Sequence, residues 1–202
     1  MRGRNKPWAK DFIAAHEELR FNKEEKLEKP LTLEVGIGKG DFIVANAKDN
    51  TDYIHIGVEL NESIYAIAMK KIVNEGIDNI KMLNCRALDL LELINEGSIE
   101  KVYLNFSDPW PKDRHAKRRL TSRQFLARYD QFLKKSGEII FKTDNKGLFD
   151  FSLEEVKEAG WNLVNYTYDL HNSEYVEGNV MTEYEEKFVA LGNKINRLVA
   201  NR

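Results

Sequence analysis

The chain has 202 residues, 42% of them apolar and 32% charged, with a formal net charge of −2, a composition and length that suit one domain carrying an extension or insertions. No window approaches the roughly 18 consecutive apolar residues of a membrane span, and the opening "MRGRNKPWAK" lacks the apolar core of a signal peptide. A lone cysteine, Cys85, excludes an internal disulfide, and four widely separated histidines (His16, His55, His115, His171) give no ligand spacing, so no metal is expected and the chain is expected in the cytoplasm.

The basic residues Arg2, Arg4, Lys6 and Lys10 open the chain. "PWAKDFIAAHEELR" then spaces Trp8, Phe12, Ile13 and Leu19 as a helix with proline at its start. "FNKEEKLEKP" is polar and reads as a linker, so residues 1–30 form a basic N-terminal segment ahead of a domain over 31–202. From there strands predicted at Leu31–Val35, Tyr53–Val58, Asn79–Leu83, Lys101–Phe106 and Gly137–Lys142 alternate with helices at Asp41–Lys48, Asn61–Glu75, Leu88–Asn95, Ser122–Lys134 and Leu148–Ala159. That alternation specifies an α/β fold with a parallel sheet covered on both faces. After Gly160, "WNLVNYTYDL" and "EYEEKFVALG" read as two strands with no helix between them, hence an antiparallel pair at the sheet edge. The loops Ser107–Leu120 and His171–Thr182 are long for a compact domain, and such loops usually carry function.

The first strand runs into "LEVGIGKG", where Gly36, Gly38 and Gly40 form the turn at which open α/β sheets bind ligands. The spacing is not that of a dinucleotide loop, and Lys39 is not followed by the Ser or Thr of a nucleotide P-loop. Glu34 would repel a pyrophosphate but stabilise a cation, and Glu59, ending the second strand, can accept both hydroxyl hydrogens of a ribose. A ligand with a ribose, a cationic tail and no phosphate is S-adenosylmethionine; the plainer alternative is a tight turn.

"YLNFSDPWPKDRHAKRRL" follows the fourth strand and sets Asp108 at the strand's carboxyl end, stiffened by Pro109 and Pro111, with Trp110 as a stacking surface. An acid beside an aromatic suits a planar hydrogen-bonding substrate such as a nucleobase, the alternative being a capped turn over a core tryptophan. Lys112, Arg114, Lys117, Arg118, Arg119, Arg123 and Arg128 then set seven positive charges against one acid, Asp113, and the chain's slight net acidity makes this run a phosphate-contact candidate rather than a merely solvated face.

Together these segments resemble the tRNA (guanine-N7-)-methyltransferase family, along nearly the whole chain: "KPWA", "LEVGIGKG", "YLNFSDPWPK" with "RHAKRRL", "FKTDN" and "MTEYEEKF". The resemblance implies a Rossmann-like class I methyltransferase, a seven-stranded, mostly parallel sheet with the seventh strand antiparallel between the fifth and sixth. It implies S-adenosylmethionine as cofactor and a guanine of the tRNA variable loop as target, in a monomer or homodimer. Cofactor contacts then fall on Glu34, Glu59 and Asp108 beside the glycine loop, and substrate contacts on Lys112, Asp144, Thr182, Glu183, Tyr184 and Glu185. RNA contacts fall on Arg114, His115, Ala116, Lys117, Arg118 and Arg119, with the basic N-terminus as a second contact. At the adenine side, where the family commonly has an acid or amide, this chain has Arg86.

Guanine N7 carries an in-plane lone pair and no hydrogen, so its methylation needs alignment rather than a base. As positive charge reaches the purine, a carboxylate on its N1–H and amino edge binds the transition state more tightly, and Asp108 is the candidate, with Asp144 or Glu185 as second acceptor. Three rivals stand beside this reading: methylation of an exocyclic base amine, a non-catalytic RNA-binding protein, and, more distantly, a dehydrogenase.

Overall fold

The computed structural model describes residues 6–202, so Arg2 and Arg4 of the basic opening lie outside the described residues. The chain divides into two compact units, Met1–Asn95 and Glu96–Arg202.

The first unit holds strands β1 (Leu31–Val35), β2 (Ile54–Val58) and β3 (Ile80–Leu83), paired parallel in the order β3-β2-β1. Its helices are α1 (Ala9–Ala14), α2 (Asp41–Asp49), α3 (Glu62–Glu75) and the single turn α4 (Leu90–Leu93). β1 and β2 are buried along four of their five residues, the signature of strands covered on both faces. Ile43, Val44 and Ala47 of α2 meet Tyr65, Ala68, Met69 and Ile72 of α3 and Ile80 and Met82 of β3 in one apolar cluster. The N-terminal segment packs here too: Phe12, Ile13 and Leu19 lie against that cluster, and the Phe21 N–H donates to the Met82 carbonyl at 3.0 Å. The first helix stops at Ala14, and a 3-10 turn over Glu17–Leu19 replaces the rest of the expected helical run.

The second unit holds β4 (Ile99–Asn105), β5 (Leu133–Thr143), β6 (Asn162–Thr167) and β7 (Asn196–Asn201), in the order β4-β5-β7-β6. β4 and β5 run parallel, and β7 is antiparallel to both β5 and β6, so the reversed strand sits where the resemblance expects it. Helices α5 (Arg123–Phe132), α6 (Lys146–Glu158) and α7 (Glu183–Ala190) complete the unit, with Tyr129, Phe132, Phe141 and Phe149 fully buried.

Two further expectations fail. The smaller concerns β5, which begins at Leu133, inside the run Ser122–Lys134 expected to be helical. "EYEEKFVALG" is not a strand: Glu183–Ala190 is the helix α7, and the antiparallel partner of β6 is Asn196–Asn201. Thr182 caps that helix, its Oγ1 accepting from the Glu185 N–H at 2.9 Å, while three glutamates in the first turn favour a helix N-terminus and Tyr184 stacks on Phe188 one turn away at 4.2 Å. No described helix is long and apolar enough to cross a membrane.

Candidate active site

In the first unit the candidate residues gather at the carboxyl ends of the parallel strands. Glu34 is the fourth residue of β1 and only 4% exposed. The chain then turns through Gly36 (φ +86°) and Gly38 (φ +55°), where an added Cβ would meet nothing within 4 Å, so the loop presents bare backbone to open space. Glu59 follows β2 and ties the two loops together, its carboxylate accepting from the Gly38 N–H at 3.2 Å and the Asn61 N–H at 2.9 Å. Each carboxylate oxygen has two acceptor sites, so these bonds leave capacity for a diol. Asn61 in turn caps α3 through the Ile64 N–H.

Arg86, after β3, holds Asp89 in a bidentate fork, Nε to Oδ2 at 3.0 Å and Nη2 to Oδ1 at 2.7 Å, and its backbone N–H reaches the same carboxylate at 3.3 Å. The guanidinium pulls the Asp89 carboxyl below its usual range. Two residues beyond the sequence reading belong to this strand-end edge: Leu60, directly after Glu59 and 65% exposed, and Leu88, 49% exposed in the turn after Arg86. Both are large apolar side chains left open to solvent, and for Leu60 the signal available in the sequence was an apolar residue directly after the strand-end acid.

The second unit carries the other half of the list. Asp108 is exposed on the turn after β4. Phe106 (φ 51°) and Trp110 (φ 42°) flank it in the left-handed region, which costs bulky residues of order 1–3 kcal/mol each and persists only where the surroundings impose it. The Phe106 N–H is held by the Lys142 carbonyl at 2.9 Å. His115 meets the Trp110 ring edge-on at 5.7 Å and the Arg118 guanidinium lies 5.0 Å from it, so Trp110 is packed by the basic segment it precedes. That segment, Asp113–Arg118, is a 3-10 helix with Lys112, Arg114, Lys117 and Arg118 exposed.

Asp144 follows β5, and burial first, then the charge of Asp144, raises the Tyr184 hydroxyl above its usual pKa. Tyr184 also lies 4.9 Å from the Phe106 ring, so the turn bearing Asp108, the end of β5 and the start of α7 meet. Asp144 also lines a cleft of about 520 Å³ with Lys146, Tyr168, Asn193, Lys194 and Asn196, a lining that includes no residue of the Asp108 turn.

The Thr182–Glu185 segment divides by role. Thr182 caps α7, Glu183 pairs with Lys187 at 2.6 Å, and Tyr184 is exposed. Glu185 is fully buried, with one carboxylate oxygen on Lys142 Nζ at 2.6 Å and the other accepting from Asn179 at 2.8 Å and His171 at 3.0 Å.

A family model described as a putative methyltransferase matches residues 28–198. A protein of Lachnoclostridium phytofermentans named tRNA (guanine-N(7)-)-methyltransferase is 48% identical, the match covering 100% of this chain and 99% of that one. A Bacillus subtilis protein of the same name is 46% identical over 98% of this chain and 97% of its own. Among solved structures, an antibiotic-related methyltransferase superposes with a TM-score of 0.62 at 17% identity, covering 100% of this chain and 99% of that one, which shows the fold.

Proposed function

The chain belongs to the tRNA (guanine-N(7)-)-methyltransferases, and from that membership we propose that its target is guanine 46 of the tRNA variable loop and that Asp108 is its catalytic carboxylate. The enzyme transfers a methyl group from S-adenosylmethionine to N7 of guanine in tRNA. Residues 31–202 are read as the catalytic domain, supported by the family model's span of 28–198.

The first unit's donor set fits the cofactor. Bound there, S-adenosylmethionine supplies an electrophilic methyl group on a sulfonium. Glu34, a buried carboxylate, complements a cationic group; Glu59 accepts from the ribose hydroxyls; Gly36 and Gly38 keep the loop free of side chains; and Leu60 and Leu88 cover the purine. Arg86 keeps its side chain on Asp89, so its contribution is to shape the adenine end.

On the substrate side, the N7 lone pair attacks without a base, so the protein's work is alignment and charge placement. Asp108 accepts from the guanine N1–H and amino edge, a bond that strengthens as positive charge reaches the ring. Asp144 is the second acceptor in preference to Glu185, whose carboxylate is buried and committed to Lys142, Asn179 and His171. Lys112 and the exposed cations up to Arg118 contact phosphate, and Tyr184 offers its ring to the base. Either a monomer or a homodimer satisfies this reading, since every assigned residue lies on one chain. An enzyme acting on tRNA works where tRNA is, in the cytoplasm.

The observation that carries the reading is the exposed Asp108 on a turn whose two flanking aromatics are held at positive φ, an arrangement maintained at a backbone cost. Its test is methyl transfer from labelled S-adenosylmethionine to an unmodified tRNA transcript, followed by nucleoside identification. The label is expected in 7-methylguanosine and absent when the variable-loop guanine is replaced. Asp108→Asn is expected to lower kcat by about a hundredfold or more while cofactor affinity is largely retained. Normal turnover in that variant overturns the assignment, and label in another nucleoside transfers the chemistry to an amine or a different ring nitrogen.

A further inference from the structure

Arg119 belongs by sequence to the basic run read as an RNA contact, yet its guanidinium faces the protein. Nε donates to the Pro109 carbonyl at 3.1 Å and the Trp110 carbonyl at 3.3 Å, and Nη2 donates to the Trp110 carbonyl at 3.1 Å. The same group lies 4.3 Å from the centre of the Phe151 ring on α6. Two successive carbonyls of the Asp108 turn, one of them on the residue with φ 42°, are therefore gripped by one planar fork resting on an aromatic ring.

The fork works from a fixed base. The Arg119 N–H donates to the Ala116 carbonyl and the Ser122 N–H to the Arg119 carbonyl, both at 3.0 Å. Just beyond, Thr121 Oγ1 and Ser152 Oγ are 2.6 Å apart, and Arg123 Nη2 reaches Glu155 Oε1 at 2.7 Å, so residues 121–123 are fastened to α6. Arg119 thus links α6 to the turn that bears Asp108. An ammonium could replace its charge but not the fixed planar fork that reaches both carbonyls from beside the ring. The contrast with Arg118 is direct: that residue is exposed, contacts the Trp110 ring, and makes no such grip on the turn's carbonyls.

We propose that Arg119 is a positioning residue for methyl transfer, setting the Pro109–Trp110 turn and through it Asp108, and is not a phosphate contact. The inference rests on the assignment of Asp108 made above. It predicts that what matters at position 119 is the shape of the donor group and not its charge.

The test compares Arg119→Lys and Arg119→Gln with Arg118→Lys and Arg118→Gln, each assayed for kcat and for KM toward an unmodified tRNA transcript over a series of salt concentrations. Thermal unfolding is followed in parallel. Arg119→Lys is expected to lose about tenfold to a hundredfold in kcat, with KM for tRNA and its salt dependence unchanged, and Arg119→Gln to behave alike. A phosphate contact gives the opposite pattern, in which the lysine variant keeps wild-type kcat and the glutamine variant raises KM and flattens the salt dependence; that pattern overturns the proposal. If Arg119→Gln fails to fold, Arg119→Lys and Phe151→Leu carry the test, and wild-type kcat in both overturns it.

The double variant Arg119→Lys with Asp108→Asn separates this inference from the one beneath it. Losses that fail to multiply show that Arg119 acts through Asp108, and losses that multiply show that it does not. Should Asp108→Asn alone turn over normally, the Asp108 assignment falls, while the kcat and KM split of Arg119→Lys still decides whether Arg119 orders the turn or binds phosphate.

Discussion

A lysine at position 142 and a glutamate at position 185 are both buried, 2% and 0% exposed, and removing two charges from water is costly unless their geometry closes. Here it does: the Lys142 ammonium spends its three hydrogens on Asn179 Oδ1 at 3.0 Å, the Val180 carbonyl at 2.7 Å and Glu185 at 2.6 Å. Lys142→Met leaves a buried carboxylate without its cation, and the expected cost is about 3–5 kcal/mol. Thermal unfolding measures it, at about 2–4 °C of Tm per kcal/mol for a chain of this size; a variant melting with the wild type would show that the pair contributes nothing net. His55 presents the reverse case, a buried group kept neutral. It is 1% exposed, Nδ1 accepts from Thr32 at 2.8 Å and Asn46 at 3.2 Å, and Nε2 donates to the Asn50 carbonyl at 3.0 Å. Burial, opposed in part by that carbonyl, holds its pKa below the usual value. The unfolded chain therefore binds a proton near pH 6.5 that the folded chain refuses, so this contribution to stability is complete above that pH and declines as the pH falls below it, by at most about 1.4 kcal/mol per pH unit. Urea midpoints measured from neutral to mildly acidic pH are expected to show that decline and to lose part of it in His55→Gln. Neither role is legible in the sequence: a lysine inside "IIFKT" and a histidine inside "YIHIG" show their types, whereas the groups that satisfy Lys142 lie 37 to 43 residues on and those that satisfy His55 come from a strand, a helix and the residue after it, which only the fold brings together.

Helix α7 shows how an element can hide in a pattern that fits two periods. "EYEEKFVALG" alternates closely enough to pass for a strand, but the Thr at 182 and Glu at 185 have the spacing of a helix N-terminus, and the Thr side chain does cap there. That capping signal was in the sequence and outweighs a short alternation. Thr182→Ala is expected to cost about 1 kcal/mol by freeing the Glu185 N–H, with Thr182→Ser close to the wild type; equal melting of all three would remove the cap from the account. The strands were easier, because runs such as "LTLEV" and "IHIGV" combine β-branched and apolar residues with the continuous burial of covered parallel strands, and β1 matches the expected residues Leu31–Val35. Placing Glu34, Glu59, Asp108 and Asp144 at or next to strand ends followed from those boundaries. The inward turn of Arg119 did not, since the Phe151 ring beneath it lies on a helix that the sequence reaches only later.

Across the whole molecule, a net charge of −2 conceals a local excess that the proposed function requires, and the structure reduces that excess from its apparent size. Of the seven cations between Lys112 and Arg128, Arg123 is bound to Glu155 and Glu158, Arg119 to the turn's carbonyls, and Arg128 is half-buried on α5. Lys112, Arg114, Lys117 and Arg118 are exposed and are the ones placed to meet phosphate. Each phosphate neutralised releases counterions and adds about 0.7–0.9 to the slope of log affinity against log salt. Changing any of these four to glutamine is therefore expected to flatten the slope by about that amount, read by titrating labelled transcript over roughly 50–200 mM salt. Arg123→Gln carries the same loss of charge but is expected to leave the slope unchanged and to lower Tm, because Glu155, buried, loses the guanidinium that holds its carboxyl below the usual range. A slope that falls equally in all five variants would mean that net charge alone attracts the RNA. A fall confined to the four would mean that RNA meets a surface already sorted by the fold into groups that bind phosphate and groups that hold the protein together.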